Sequence, residues 1–396
     1  MLSLPHVRAA LRAKAEAFSE SQVQAGRQAQ AYRAALEAVS RRSQEDIARA
    51  LAEIPHPGAR PTAERVAGRD VVIPFGQRWA NHQEARAWAL EVLRGVPVMA
   101  ADGSQIAPSS DYSVPVGAVQ VGWFVNGHDP EVPYEKDLRF EVLVPEDQGA
   151  APPEDAAGGF PDLQVNVRRF ELECAAIVGY MRRVAGQRPA PLCIFDGSFA
   201  ISFAAQMRPD LRSRYVEAVR EMLAASEDTR VPVVRYVDGS RSRDLAWMLH
   251  WLEPSTPLPT LGDAALLAPR MLWGDRSEAL VCARNDRLFE RLDPAADFYE
   301  RVHFLYLKTT QPNPPARLEV PSWLLAADEL ERVVDVVRAE CVAGTGYPYA
   351  LETADALAVI TMADRERFYR AFQEYLEELG IGLRYARKAA SKRGRR

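Results

Sequence analysis

The chain has 396 residues and a net charge of −5 at pH 7, with 47% hydrophobic and 26% charged residues. This composition is ordinary for a soluble globular protein, and the length predicts two domains or one enlarged domain. Its 4 cysteines are far apart, without a Cys-x-x-Cys pair, which argues against a zinc site or a disulfide framework. We find no signal peptide and no long apolar run, and therefore expect a cytoplasmic protein without a membrane partner.

The first part of the chain predicts helices only. Residues 1 to about 54 are rich in Ala, Gln, Glu and Arg, with sparse apolar positions at helical spacing, and they predict two long helices. The proline-bearing stretch 54–58 then ends the pattern. Because the apolar stripe is too narrow to form a core alone, we interpret 1–65 as an N-terminal helical extension that contacts a second subunit, a partner or the core.

Residues 66–383 predict one α/β domain. After a helix at 83–93, the elements are three strands, a helix, a strand, a helix, a strand and a helix. Their expected bounds are 96–101, 114–125, 139–144, about 163–181, 191–195, 214–225, 231–237 and 243–252. This order is the ribonuclease-H-like arrangement, a mixed sheet flanked by helices. A Pro-, Gly- and Asp-rich stretch at 145–161 predicts a loop inside it.

The remaining residues predict a less regular region and a basic tail. From 255 to 320 only two strands are expected, and three helices close the domain. The bounds of these elements are 302–308, 317–320, 326–342, 349–360 and 363–379. The segment 384–396 is rich in Lys and Arg and has no acid, which predicts either an arm that touches nucleic acid or a solubilising terminus.

The tripeptide Asp-Gly-Ser follows three strand-like runs, at Asp102, Asp196 and Asp238. An aspartate that ends a buried strand lies at the sheet edge, where two carboxylates can bind one hard cation such as magnesium or manganese. The alternative is that Asp-Gly is only a turn dipeptide. In the ribonuclease-H-like order, carboxylates end the first and fourth strands. We therefore assign Asp102 and Asp196 to a site and interpret Asp238 as a turn residue.

Three further acids are candidates for the same site. Glu171 and Glu173 lie on the helix at 163–181, and either could project over the sheet edge; both could instead be solvated or pair with neighbouring arginines. Asp355 lies on a late helix among small and apolar residues, where it needs a metal or a buried cation as partner. A group of acids without a nucleophile, phosphate-loop or His-Glu-x-x-His motif favours metal-assisted hydrolysis. We interpret His303, inside an apolar strand, as a core residue.

Over residues 96–365, these pieces resemble the NurA family of DNA-end-processing nucleases. The matching motifs are Ala-Asp102-Gly-Ser-Gln, the Arg/Glu helix at 168–173, Phe-Asp196-Gly-Ser-Phe, Tyr236-Val-Asp-Gly-Ser-Arg-Ser-Arg-Asp244-Leu, His303-Phe-Leu-Tyr-Leu, Arg317-Leu-Glu-Val-Pro-Ser-Trp323 and Gly346-Tyr347-Pro-Tyr. Each motif is weak alone, and their number and order make the resemblance specific.

The resemblance implies a manganese-dependent deoxyribonuclease, with magnesium as the other candidate ion, of 5'-3' exonuclease and single-strand endonuclease type. It also implies a homodimer that binds DNA and docks on the hexameric HerA ATPase, a translocase, in end resection, homologous recombination and double-strand break repair at the nucleoid. The implied metal ligands are Asp102 and Asp196 with one helix glutamate beside them; we assign Glu173 and Asp355 to the metal as well, although spacing does not decide between Glu173 and Glu171. The further catalytic residues are Glu171 and Tyr347. Asp355 stands where the family often has a histidine.

A second interpretation is a non-catalytic dimeric DNA clamp or adaptor for a ring ATPase. The two interpretations differ in whether three or four acids converge, because unpaired carboxylates repel one another in the absence of a cation. Either function needs cations around the DNA. The candidates are Lys308, Arg317, Arg241, Arg243 and the basic tail, and the alternative for each is a surface charge that does not contact DNA.

Overall fold

A computed structural model describes residues 2–109, 112–144, 162–284, 288 and 298–382. The chain divides into two compact units. Unit 1 contains Met1–Trp79, Tyr236–Arg287 and Pro294–Ser322, and unit 2 contains Ala80–Arg235, Leu288–Asp293 and Trp323–Arg396. The expected loop at 145–161 and the basic tail at 384–396 lie outside the described residues.

Both units combine helices with β-strands. The helices are α1 (Leu4–Arg12), α2 (Ala15–Ser40), α3 (Gln44–Ala50), α4 (His82–Leu93), α5 (Asp162–Arg183), α6 (Pro209–Thr229), α7 (Asp244–Leu252), α8 (Asp263–Leu267), α9 (Trp323–Ala326), α10 (Leu330–Ala343), α11 (Tyr349–Ala358) and α12 (Met362–Glu378). The strands are β1 (Gly58–Pro61), β2 (Val72–Ile73), β3 (Val98–Ile106), β4 (Gly117–Asn126), β5 (Glu135–Leu143), β6 (Leu192–Asp196), β7 (Val233–Val237), β8 (Arg276–Ser277), β9 (Leu280–Ala283), β10 (Val302–Leu307) and β11 (Ala316–Pro321). None of the helices that the structure describes has the length and apolarity needed to cross a membrane. All four cysteines are buried free thiols.

The sheet of unit 2 has the strand order β7-β6-β3-β4-β5, and the boundary between the units falls inside β7. Strands β3, β4 and β5 are antiparallel, whereas β6 runs parallel to β3. Helices α5 and α11 both pack on β3 and β4. This arrangement confirms the predicted fold class, a ribonuclease-H-like mixed sheet flanked by helices. It also confirms the predicted order of elements from the first predicted strand to α7.

Unit 1 contains the antiparallel strands β1-β9-β10-β11, and β8 pairs with both β2 and β10. Helix α2 packs on α7 and α8 through its second half, where Tyr32, Leu36 and Val39 are buried. By contrast α1 has no buried residue, and the first half of α2 is exposed. The helical extension therefore consists of a half that is packed on unit 1 and a half that faces solvent in the single chain.

Several predicted boundaries are wrong, and long-range pairing explains most of the errors. The two predicted N-terminal helices are three, because Ser43 forms a capping box with Asp46 that starts α3. Strands β1 and β2 precede the predicted first strand and were missed, since they are short and pair with residues more than 200 positions away. The region predicted to be irregular also contains α8, β8 and β9.

Strand β3 does not end at Asp102, as we predicted, but continues to Ile106. The reason is its partner β4, which pairs with it continuously from Val98 opposite Asn126 to Ile106 opposite Ala118. The first Asp-Gly-Ser tripeptide is therefore inside a strand, and only the neighbouring strand β6 stops at this level. Asp102 still lies at the sheet edge, because the edge is formed by the end of β6.

Candidate active site

Asp102 on β3 and Asp355 on α11 are hydrogen-bonded to each other through their carboxyl groups. Burial is the largest cause that raises the pKa of Asp102 to about 6, and the hydrogen bond and charge of Asp355 act in the same direction. The Gly103 amide and the charge of Arg169 oppose this shift. Asp355 is exposed to solvent and bonds to an acid rather than to a core cation. The hydrogen bond therefore brings two potential oxygen ligands into contact.

A glycine lets α11 come close enough to form this pair. Gly122 lies directly opposite Asp102 in the β3–β4 ladder. A Cβ at this position would lie 2.9 Å from Cβ of Leu357 and 3.2 Å from the amide nitrogen of Ala358. Gln120 on the same face donates to the carbonyl oxygens of Leu357 and Ala358 at 3.4 and 3.2 Å. The end of α11 is thus seated on β4, two residues beyond Asp355.

Asp196 ends β6, as predicted, and lies beside Asp102. The parallel register pairs Ala101 with Phe195. Continued by one residue, this register places the two aspartates side by side on one face, at the spacing of about 4.8 Å between neighbouring strands. Gly197 follows with φ +92, a left-handed conformation that ends the strand. Asp238 follows β7 in a turn, which confirms its interpretation as a turn residue.

Glu173 reaches the same region from the α5 side of the sheet. Its side chain is 3% exposed, and a Cβ at Gly103 would lie 2.5 Å from its Oε1. Burial is the main cause that raises the pKa of Glu173 to about 8; the charges of Asp102 and Asp196 also raise it, whereas Arg169 and Arg235 lower it. Glu173 therefore interacts electrostatically with both aspartates, at the level of the sheet where β6 ends.

Glu171, two residues earlier, does not join the cluster. Both of its oxygens accept hydrogen bonds of 2.6 Å from Arg214 of α6, and Arg168 donates to one of them at 3.3 Å. Glu173, the second candidate glutamate on α5, has a different neighbour. Nη1 of Arg169 lies 3.3 Å from its Oε1 and donates to the Gly103 carbonyl at 2.9 Å. The structure thus separates the two glutamates, which spacing alone could not do.

Tyr347 lies in the turn that precedes α11, the helix that carries Asp355. The turn is tight, since a Cβ at Gly344 would lie 2.1 Å from the Tyr347 carbonyl oxygen. The Tyr347 side chain is half-buried. The structure therefore places the predicted tyrosine at the start of an element of the site.

The chemistry of the donors fits a hard divalent cation. All the candidate ligands offer oxygen, and two of them, Asp102 and Asp355, are in direct contact. The buried Oε1 of Glu173 accepts no hydrogen bond from the described residues. However, within the part of the chain that the structure describes, no three His, Cys, Asp or Glu side chains are grouped closely enough to hold a metal ion. The arrangement is a carboxyl pair with two acids beside it.

Two of the predicted DNA-binding cations are buried, so these predictions are wrong. Arg317 is 1% exposed and donates to Asp244 and Glu319, each at 2.7 Å. Lys308 is 4% exposed, and its Nζ donates to the Asn313 carbonyl. Both residues belong to a part of unit 1 whose strands β10 and β11 are buried along their whole length. Two cations predicted with them, in contrast, are exposed; they are Arg241 and Arg243.

His303 lies in the core of unit 1, as predicted. It is 9% exposed, and burial lowers its pKa to about 4. The residues that we missed are Gly103, Gly122 and Arg235. A glycine inside a strand signals a close approach by another element. A charge inside the apolar run 233–237 was the available signal for Arg235.

Comparisons with known proteins identify a family for the chain. The family model described as the NurA domain matches residues 96–360. A crystal structure of NurA with manganese is 11% identical over 72% of this chain and 90% of that chain, with a TM-score of 0.41. NurA bound to dAMP and manganese is 12% identical over 68% and 85%, with a TM-score of 0.34. Endonuclease V from Bacillus subtilis is 11% identical over 76% and 98%, with a TM-score of 0.31. No curated protein sequence matches the chain.

Proposed function

The chain belongs to the NurA family, and from this premise we propose that it is a divalent-metal-dependent deoxyribonuclease. The observation that carries the proposal is the hydrogen-bonded pair Asp102–Asp355, with Asp196 at the end of the neighbouring strand β6. A protein that only clamps DNA has no use for carboxyl groups held together, because their repulsion destabilises the fold when no cation is bound. The pair also faces solvent through Asp355, so DNA can reach it.

The residues that would hold the ion are Asp102, Asp196, Glu173 and Asp355. Oxygen ligands suit manganese, which we favour, and also magnesium. A bound divalent ion supplies Lewis-acid stabilisation of the scissile phosphate and lowers the pKa of a water nucleophile.

The protein's own residues prepare this site without the ion. Arg169 holds Glu173 from one side and the Gly103 carbonyl from the other, and its side chain is one-third exposed. It therefore fixes the buried acid and leaves positive charge at the surface beside the carboxyl pair. Tyr347 is proposed to contact the substrate from the turn before α11. Glu171, engaged by Arg214, is proposed to act only by fixing α5 against α6.

A nuclease assay with matched variants tests the proposal. Labelled single-stranded and linear duplex DNA are incubated with Mn²⁺, with Mg²⁺ or with EDTA, and metal-dependent cleavage is expected. Asp102→Asn should lose about 10²-fold or more in rate, since several kcal/mol of metal-derived stabilisation correspond to at least that factor. Asp238→Asn, which changes the turn copy of the same tripeptide, should cleave normally.

Substitutions at Asp355 test the departure from the family pattern. Asp355→His should retain cleavage with an altered preference between manganese and magnesium, because imidazole suits softer cations. Asp355→Ala should lose most of the activity while keeping its melting temperature, since Asp355 is exposed. Absence of cleavage by the native chain with either ion, or full activity of Asp102→Asn, contradicts the nuclease assignment and favours the adaptor.

The finer activity that we propose is that of a 5'-3' exonuclease and single-strand endonuclease in end resection for recombination and double-strand break repair, in the cytoplasm at the nucleoid. The proposed partners are DNA, a second copy of the chain and a hexameric HerA-type translocase. Family membership supports them. End-labelled duplexes with blocked 5' or 3' ends, degraded with and without the translocase, distinguish the polarity and the need for the partner.

The exposed half of the helical extension is the proposed contact for the second subunit or the translocase. Its apolar side chains lie on α1 and the first half of α2, and four of them are more than half exposed: Leu4, Leu11, Phe18 and Val23. Deletion of residues 2–27 removes this surface and spares Tyr32 and Leu36, which are packed on unit 1. Light scattering and pull-down should show loss of the dimer or of partner binding, and survival of both contradicts the proposal.

A further inference from the structure

Arg235 is a buried cation at the centre of β7, 3% exposed. Its Cζ lies 3.8 Å from the ring centroid of Phe195 and 5.5 Å from those of Phe170 and Phe199. Burial of a guanidinium is unfavourable unless other groups compensate for the lost water. Three aromatic faces supply part of that compensation by cation–π attraction. The position of the guanidinium is therefore built by several elements of unit 2.

The same guanidinium contacts the residue after Asp196. A Cβ added at Gly197 would lie 2.9 Å from Nη2 of Arg235. Gly197 also has φ +92, a conformation that side chains other than glycine rarely adopt. The glycine thus permits both the turn of the chain and the approach of Arg235. Phe195 and Gly197, the residues on both sides of Asp196, are in this way held by one planar group.

We propose that Arg235 is a positioning residue for Asp196, which fixes the direction of that carboxylate at the end of β6. The inference rests on the proposed function, since it takes Asp196 as a metal ligand. Groups behind a ligand typically change metal affinity or activity by about 10- to 100-fold when they are removed. A purely structural role, in contrast, would change stability alone.

Two methionine variants separate the two roles. Arg235→Met removes the planar cation and keeps the length of the side chain. Its control is Arg338→Met in the same unit, because Arg338 is 1% exposed and pairs with Glu331 at 2.7 Å, on a helix that carries no candidate ligand. Both variants should melt at a lower temperature. Only Arg235→Met should weaken the binding of Mn²⁺ alone, measured by calorimetry, by about 10- to 100-fold.

A third variant tests whether the charge or the planar shape matters. Arg235→Lys keeps the charge and loses the flat fork that lies against Phe195 and Gly197. Arg235→Lys should be more stable than Arg235→Met and still bind Mn²⁺ more weakly than the native chain. Full recovery of Mn²⁺ affinity by lysine, or native affinity in Arg235→Met, overturns the positioning role.

Hydrogen–deuterium exchange gives a readout that does not need metal. The peptide that covers residues 196–201 should exchange faster in Arg235→Met and at the native rate in Arg338→Met. Native-like exchange in both variants overturns the inference, even if the native chain binds no Mn²⁺. Failure of native Mn²⁺ binding with faster exchange in Arg235→Met would instead contradict the proposed function and retain the role of Arg235.

Discussion

The acids around Asp244 in unit 1 and the acids around Asp102 in unit 2 have opposite kinds of neighbours. In unit 1, Asp244 accepts hydrogen bonds from Arg284 at 2.8 and 2.7 Å and from Arg317 at 2.7 Å. Arg317 also donates to the fully buried Glu319 and lies over the ring of Phe304. In unit 2, Asp102 bonds to another acid instead. The first cluster neutralises its own charge, whereas the second needs a proton or a cation.

A raised pKa by itself does not distinguish the two clusters. Burial, with the charge of Asp244, raises the pKa of Asp263 in unit 1 to about 7, close to the value of Asp102. However, Asp263 accepts hydrogen bonds from the amides of Leu245 and Ala246 at the start of α7, and from the Tyr306 hydroxyl. Its oxygens are used for structure. The comparison teaches that the neighbours of an acid identify a candidate ligand better than its proton affinity does.

The largest effect on stability is expected in the paired cluster. Arg317→Met should lower the free energy of unfolding by about 3–5 kcal/mol, since it leaves the buried acids with an uncompensated charge. Urea unfolding measures this loss, with the exposed Arg241→Met as control. A change below about 1 kcal/mol would mean that the network of unit 1 is not the stabilising cluster.

The carboxyl cluster should respond to metal, and the paired cluster should not. At a Mn²⁺ concentration of about 100 times Kd, binding should raise the free energy of unfolding by about 2.7 kcal/mol. Asp102→Asn should abolish this increment. Asp244→Asn should lower the stability without metal and keep the increment, because its site is filled by arginines. An equal loss of the increment in both variants would remove the distinction between the clusters.

In the absence of metal, Asp102 should make the protein less stable as the pH rises. Its pKa is raised from 3.8 to about 6, so between these values the folded state binds more protons than the unfolded chain. The contribution of Asp102 to the free energy of unfolding therefore falls as pH rises through this window and is level above it. Asp102→Asn should remove on the order of 1–2 kcal/mol of this fall, since one pKa unit is worth about 1.4 kcal/mol and partial exposure reduces the effect.

The effect of Asp102 is measured as the difference between the free energies of unfolding of the native chain and of Asp102→Asn at each pH. His303 acts in the opposite direction, since burial lowers its pKa to about 4 and its contribution rises with pH up to its ordinary value of 6.5. Because His303 is present in both proteins, its contribution cancels when the two pH profiles are subtracted. Parallel native and Asp102→Asn profiles from pH 4 to 7 would contradict the raised pKa of Asp102.

The smallest stability effect should come from Glu171→Gln. Its partners Arg214 and Arg168 are one-third exposed, and such ion pairs contribute about 0.2–1 kcal/mol. Glu171→Gln should therefore melt nearly as the native chain does and cleave DNA normally. The matched variant Glu173→Gln should lose cleavage, because its carboxyl group is proposed as a ligand. Reversed activities in this pair would transfer the ligand role to Glu171.

The element order of unit 2 was predictable because alternating strand and helix patterns are local. Asp102 and Asp196 could be found for the same reason, since each follows an apolar run that is buried in the sheet. Strand β3 was predicted too short, because nothing in Gly103 and Ser104 indicates that β4 pairs beyond them. Arg317 was misjudged for a similar reason, as its burial depends on partners 73 positions away.

By itself, the sequence determined the fold class, the family and the two aspartates, because each depends on short apolar patterns and on motifs of adjacent residues. Tertiary structure alone decided which glutamate lies beside the carboxyl pair, what Asp355 bonds to, and where Arg235 lies. Glu171 and Glu173 are separated by one residue, and only the positions of Arg214 and Gly103 assign one to α6 and the other to the carboxyl pair. Such choices depend on contacts between distant segments, which local preferences do not encode.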